Sequence, residues 1–276
     1  MKKNLLVQPF LKWAGGKRQL LPELNKYIPL KYKTYYEPFV GAGALLFDLQ
    51  PKKAVINDVN SELINCYNII KDSLDELIED LKKHQNIPEY YYEIRELDRK
   101  PEFQQLTQIE RASRIIYLNK TCFNGLFRVN SQGQYNVPFG NYKNPKILDE
   151  VVLKAVHNFL NSSNITITNG DFEEVVRGAK KGDFIYFDPP YDPVSDSSSF
   201  TGYSLDGFSR DEQRRLKDVF DRLNKKGCFV LLSNSATDFI KDLYKDYRIE
   251  IVSASRNINA DGLKRGKVDE VLVMNY

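Results

Sequence analysis

Residues 35–58 constrain the fold more than any other stretch. YYEPFV at 35–40 reads as a strand, Gly41-Ala42-Gly43 as a turn, ALLFDL at 44–49 as a helix, and AVIN at 54–57 as a second strand that ends at Asp58. A glycine turn passing directly from strand to helix, with another strand to follow, opens a doubly wound α/β sheet. Further strands are expected at 165–168, 184–187, 228–232, 248–252 and 268–275, with helical stretches between several of them, most clearly 209–225.

The middle of the chain breaks this rhythm. Residues 61–117 are mostly helical in pattern, with breaks at Pro88 and Pro101, and residues 121–145 are rich in Asn, Gly, aromatic and basic residues. A hairpin is expected there, from 126–130 through a turn near Ser131-Gln132-Gly133 to 134–137. With 276 residues the chain has room for one large domain that carries an insertion. The expected division is one domain from 1–59 and 161–276 and an inserted domain from 60–160. A polar loop is expected at 195–199.

Composition narrows the chemistry. The three cysteines, Cys66, Cys122 and Cys228, are far apart, so neither a disulfide framework nor a metal clip fits, and buried reduced thiols are expected. The apolar runs, such as 228–232, are too short to span a membrane. Met1-Lys2-Lys3 is not followed by a long apolar segment and cleavage site, so no signal peptide is read and a cytoplasmic location is expected. A net charge of +3 permits a nucleic-acid partner without arguing for one. The two histidines, His84 and His157, sit in helix-like stretches without acid or Cys partners at a telling spacing, which disfavours a His base or a His-rich metal site.

Two short motifs carry the chemistry. In FVGAGA at 39–44, Gly41 and Gly43 let the backbone approach a ligand, and Asp58 at the end of the next strand suits the two hydroxyls of a ribose. Leu46 stands where a dinucleotide fingerprint needs its third glycine, so a nucleoside cofactor without a pyrophosphate fits better than NAD. At 188–191 the chain reads DPPY, at the expected carboxyl end of a central strand. Asp188 and the carbonyl of Pro189, which faces no amide donor from Pro190, can accept both N–H bonds of an exocyclic amine. That draws the nitrogen towards tetrahedral geometry and localises its lone pair, while the Tyr191 ring stacks on the base.

Taken together these stretches resemble a known family, the DNA adenine-N6 methyltransferases of the Dam type, which include the Dpn-type GATC methylases. The likeness spans essentially the whole chain: FLKWAGGK at 10–17, EPFVGAGA at 37–44, IND at 56–58, FNGLFRVN at 123–130, NVPFGNYKNP at 136–145, GDF at 170–172 and DPPY at 188–191, in the order of the alpha class. The resemblance implies a doubly wound, Rossmann-like S-adenosyl-L-methionine-dependent methyltransferase sheet, with a mostly helical inserted DNA-recognition domain carrying the hairpin. It implies N6 methylation of adenine in double-stranded DNA at GATC, with S-adenosyl-L-homocysteine as product, no metal and no obligatory protein partner. It implies cofactor roles for Trp13, Lys17, Asp58 and Asp188, a turn shaped by Gly41 and Gly43, and Asp171 with Phe172 beside the cofactor's adenine. Asp188, Pro189 and Tyr191 would be catalytic. Lys12, Phe123, Asn124, Leu126, Arg128 and Pro138 would lie at the DNA. Asn141 departs from relatives that carry Arg there.

An adenine inside a duplex is out of reach of such a pocket, so base flipping is expected, with Phe123 filling the gap. A two-stranded ribbon fits the major groove, where Arg128 would read a guanine. Lys143, Lys146 and the 264–267 cluster would contact phosphates. The motifs leave open an RNA or protein-glutamine N-methyltransferase, whose relatives resemble an NPPY form, and a nicotinamide oxidoreductase on a similar sheet.

Overall fold

A computed structural model of the chain describes residues 3–13, 15–194, 208–255 and 267–276. The polar loop expected at 195–199 and residues 264–266 of the basic cluster lie outside the described residues. Seven strands form one sheet: β1 Tyr35–Glu37, β2 Lys53–Asp58, β3 Asn164–Asn169, β4 Phe184–Phe187, β5 Phe229–Ser235, β6 Arg248–Ser255 and β7 Lys267–Met274. Their order is β3-β2-β1-β4-β5-β7-β6. The first five are parallel, with Tyr35 level with both Ala54 and Phe184. β7 enters antiparallel between β5 and β6. This mixed sheet is consistent with a methyltransferase fold.

Alternation along the central strands builds a core on each face. Phe184 and Tyr186 of β4, Leu231 of β5, and Leu272 and Met274 of β7 point to one core. Ile185 and Phe187, Val230 and Leu232, and Val271 and Val273 point to the other. A side-chain period of two on strands covered on both faces gives continuous apolar runs, which is why these segments are legible in the sequence. The helix Arg210–Lys225 starts at Ser209, whose side chain caps the Glu212 N–H, and buries Leu216, Val219, Phe220 and Leu223 on the second core. The other core runs without interruption from the sheet through the helices Ser61–Asp72, Gln108–Thr121 and Glu150–Ser162 to Phe127, Tyr135 and Val137.

The chain lays β2 and β3 to one side of β1, then β4 and β5 to the other. The reversal falls between β1 and β4, and it opens a crevice beyond their carboxyl ends. β1 stops at Glu37 rather than continuing to residue 40, because Pro38 has no N–H to give the ladder. β4 stops at Phe187 just before Asp188-Pro189. Asn57, buried at the end of β2, ties the strand ends together: its side-chain N–H groups donate to the carbonyls of Pro38 and Gly170, and its oxygen accepts from the Thr168 hydroxyl.

The region 121–140 is a looser ribbon than the expected two-stranded ladder. Its pairing is limited to the bridges Val129 with Tyr135 and Cys122 with Phe139. Pro138 cannot donate, and Asn130 spends its side-chain oxygen on the N–H groups of Gln132 and Gln134 to close the turn. Cys66, Cys122 and Cys228 are buried free thiols, as expected. His84 and His157 are structural as expected: His84 stacks on Tyr117 between Tyr90 and Ser113, and His157 bonds the Ile70 carbonyl.

Asn57→Ala removes three hydrogen bonds and strands the buried carbonyl of Pro38 and the half-buried one of Gly170. It should lower the unfolding free energy by about 2–4 kcal/mol, read from chemical denaturation, while Asn57→Asp should be worse because it also buries a charge.

Candidate active site

The crevice gathers residues from five strand ends. Lys17 is 5% exposed. Its ammonium meets Asp188 Oδ1 at 2.9 Å, donates to the Gly15 carbonyl at 2.7 Å, and lies 4.4 Å from the centre of the Tyr191 ring. Ser233 of β5 donates its hydroxyl to the same Asp188 oxygen at 2.8 Å, and Tyr186 hydrogen-bonds Ser233 at 2.9 Å. Burial raises the pKa of Asp188, and the lysine and the serine oppose the rise. The turn behind it is braced from the α/β core. Gln213 donates to the Pro190 carbonyl at 2.9 Å, and buried Asp192 takes Arg210, Thr237 and, through its N–H, Asn234. No described residue donates to the carbonyl of Pro189. The Tyr191 hydroxyl donates to Glu270 of β7 at 2.7 Å.

The glycine turn forms the neighbouring wall. Gly41 has φ +48° and Gly43 +70°, a region side chains avoid. A Cβ on Gly43 would lie 2.7 Å from the Tyr67 hydroxyl, and one on Gly41 3.0 Å from the Trp13 ring. Asp58 accepts from the N–H of Gly41 and of Asn60, both at 3.0 Å, and burial lifts its pKa to about 6. Each oxygen keeps a further lone pair, and the exposed apolar Val59 follows it. A glycine cradle, an acid with acceptor capacity and an apolar neighbour fit a nucleoside cofactor. Among the described residues there is no group of three His, Cys, Asp or Glu that could hold a metal ion.

Asp171 and Phe172 are placed differently from an open adenine wall. Phe172 is buried, stacked on Phe39 at 5.3 Å and covered by the Arg215 guanidinium at 4.3 Å. Asp171 caps the helix Phe172–Val176 and takes a bidentate pair from Arg215, with a shortest contact of 2.6 Å. Burial tends to raise the pKa of Asp171, but the arginine outweighs it and the net shift is downward. Arg215 was not foreseen; nothing in its helical surroundings marks it.

Trp13 stacks on Phe127 at 4.7 Å, so the glycine wall and the ribbon at 121–140 are joined through one ring pair. Lys12 is held by Asn119 at both its N–H and its carbonyl, and its ammonium lies 5.5 Å from the Tyr142 ring. The neighbouring turn presents Phe123, Asn124 and Pro138 to solvent, with Asn124 at φ +57° and Leu126 half-buried. Arg128 is exposed and its guanidinium is braced by Asn136, through the side-chain oxygen at 2.7 Å and the carbonyl at 3.1 Å. Asn141 sits at φ +52°, which asparagine tolerates better than most side chains. Lys143 is exposed, whereas Lys146 is paired with Asp149 at 2.8 Å.

Sequence reasoning missed Glu37. It is fully buried at the end of β1, where Tyr35 donates to Oε2 at 2.8 Å. Burial lifts its pKa to about 8, with the charges of Asp188 and Asp58 adding to the rise. A signal was present: Glu37-Pro38 ends β1 as Asp188-Pro189 ends β4, on adjacent strands.

A model of the D12 class N6 adenine-specific DNA methyltransferase family matches residues 13–258. The chain belongs to that family. It is 50% identical, over 100% of its own length and 98% of the relative's, to the type II methyltransferase M1.LlaDCHI of Lactococcus lactis subsp. cremoris. It is 43% identical to the type II methyltransferase M.MjaIII of Methanocaldococcus jannaschii, over 98% of this chain and 99% of the other. It is 34% identical to the DNA adenine methylase of Escherichia coli K12, over 99% and 96%. The alternatives left open by the motifs are thereby decided: the chain is an adenine-specific DNA methyltransferase, its substrate is DNA, and the family implies S-adenosyl-L-methionine as donor. Among the described residues no helix is long and apolar enough to cross a membrane.

The protonated state of Glu37 is open to test. Its folded pKa of about 8 lies above the ordinary 4.5, so the stability it contributes is fully present below pH 4.5 and is lost as pH rises through about 8. Glu37→Gln, neutral throughout, should lack that decline. Melting temperatures of the two proteins between pH 5 and 9 should diverge in favour of the variant as pH rises.

Proposed function

We propose that this enzyme transfers the methyl group of S-adenosyl-L-methionine to N6 of an adenine flipped out of double-stranded DNA, at GATC. The arrangement around Asp188 carries the reading. Asp188 with Lys17 and Ser233 as its partners, the carbonyl of Pro189, to which no described residue donates, and the ring of Tyr191 follow one another at the end of β4. Asp188 and the Pro189 carbonyl would each accept one N–H of the adenine amine, and Tyr191 would hold the base plane by stacking. When bound, S-adenosyl-L-methionine supplies an electrophilic methyl group on a sulfonium, chemistry that calls for no metal. The chain's task is then to position and orient, bringing the amine nitrogen to about 3–3.5 Å of its target carbon.

Trp13, Gly41, Gly43 and Asp58 would form the cofactor cradle, with Asp58 on the ribose hydroxyls. Lys17 would serve it through Asp188 rather than by direct contact. Asp171 and Phe172 would flank the cofactor's adenine, with Arg215 fixing both. Residues 60–160 would be the inserted recognition domain. Its exposed turn fits this role: Phe123 is 51% exposed, beside the left-handed Asn124, and suits the gap left by the flipped base. Lys12, Leu126 and Pro138 would line the same approach, and Lys143 would meet phosphate. The likeness to the GATC methylases and to DNA adenine methylases supports the site, and the type II relatives support a restriction–modification setting. A cytoplasmic location would follow from the substrate.

Asp188→Ala should abolish methyl transfer while the protein stays folded, with a lowered melting temperature because Lys17 loses its partner. Tritiated methyl incorporation into plasmid DNA, followed by digestion with endonucleases blocked by GATC methylation, checks both chemistry and site. Full incorporation in the variant would sink the assignment, and digestion that GATC methylation should have blocked would sink the site.

Arg128 is braced by Asn136, which leaves its outer edge free to pair with guanine O6 and N7 in the major groove. Arg128→Ala should cost about 1–3 kcal/mol of discrimination at one base pair of the site, with little change in non-specific binding. Transfer rates on GATC and on each singly substituted duplex measure it. An unchanged ranking at every position means that Arg128 does not read the base.

A further inference from the structure

Glu270 lies on β7, level with Ser235 of β5 and Val252 of β6. It is 6% exposed, and the four residues after it, Val271 to Met274, are fully buried and apolar. Among the described residues no lysine or arginine forms an ion pair with it. Its one hydrogen bond there is the 2.7 Å contact from the Tyr191 hydroxyl. A buried acid with no cation among the described residues costs stability there, where an apolar residue would fit β7 better. The contact with Tyr191 is what the carboxylate provides in return.

Tyr191 is thereby held at two points. Lys17 engages one face of the ring, and Glu270 fixes the hydroxyl at its far end. A tyrosine ring without such a tether turns freely within a broad χ2 well. A tethered ring keeps one plane, and a base stacked on its other face inherits that plane. Where that face lies relative to Asp188 and the Pro189 carbonyl sets the angle at which N6 meets its two acceptors, and small misplacements there are costly in rate.

We propose that Glu270 is a positioning residue for the target adenine, acting through the Tyr191 hydroxyl. The proposal rests on Tyr191 being the stacking ring, and the variants separate the two ideas. Single-turnover methyl transfer to duplex DNA that the wild type methylates, and S-adenosyl-L-methionine affinity, are measured for Tyr191→Phe, Glu270→Ala, Glu270→Gln, the double variant Tyr191→Phe/Glu270→Ala, and Tyr191→Ala. Tyr191→Phe and Glu270→Ala should each slow transfer about tenfold or more, the effect of one lost hydrogen bond to a charged acceptor. Cofactor affinity should be unchanged in both. The double variant should be no slower than either single one, because both remove the same contact. Glu270→Gln should recover most of the loss, since its amide oxygen can accept the same hydrogen bond. Additive losses in the double variant overturn the proposal. So does a Glu270→Gln as slow as Glu270→Ala, or a Glu270→Ala that loses cofactor affinity while Tyr191→Phe is unimpaired. If Tyr191→Ala transfers at the wild-type rate, the stacking role itself is wrong. If Tyr191→Ala is inactive and Glu270→Ala is not impaired, only the role of Glu270 falls.

Discussion

A carboxyl group at the end of a fully buried strand is met here by a lysine, itself 5% exposed, that stands 2.9 Å away and opposes the rise that burial gives its pKa. The pair between Lys17 and Asp188 joins the first twenty residues to the second half of the chain, across the reversal in strand order. Removing either partner would leave the other buried and uncompensated, a loss typically of about 3–5 kcal/mol. The rest of the crevice is arranged around that requirement. Ser233 and Gly15 fill remaining hydrogen-bonding positions, Tyr191 lays its ring beside the ammonium, and Asp192 and Gln213 brace the turn from behind.

Two adjacent central strands end in an acid followed by proline, and their acids have different partners. Asp188 has a cation and a hydroxyl donor. Glu37 has a tyrosine donor and no cation among the described residues, and burial lifts its pKa to about 8. The same local sequence logic thus yields two carboxyls with different partners, separated by which of them Lys17 pairs with. Burial, and after it the neighbouring Asp188 and Asp58, oppose a charge on Glu37.

Much of this was legible in the sequence. The strands were legible because β1, β4 and β5 are covered on both faces and read as apolar runs, and the long helix Arg210–Lys225 was legible as a helical stretch over 209–225. The glycine turn, Asp58 and the DPPY turn were legible because backbone conformation and strand ends leave residue-type signatures. Other features depended on distance in the chain. Glu270 lies 79 residues from Tyr191, and Arg215 lies 44 from Asp171, and no local pattern links either pair. Glu37 was hidden by its neighbours, since it reads as part of the glycine motif. The ribbon at 121–140 was legible as a turn but not as a set of isolated bridges, because Pro138 and the Asn130 side chain decide which backbone groups can pair.

The stack of Trp13 on Phe127 has a bearing on modularity. A ribbon that touched only its own helices could be exchanged between relatives without disturbing the glycine wall. Here one face of Trp13 rests on the ribbon while its edge abuts Gly41, and Lys12 beside it is tied to Asn119. Lys12 and Trp13 therefore tie the ribbon at 121–140 to the glycine wall. A ribbon grafted from a relative would have to present a ring to Trp13 where Phe127 now stands, or bring its own partner for it.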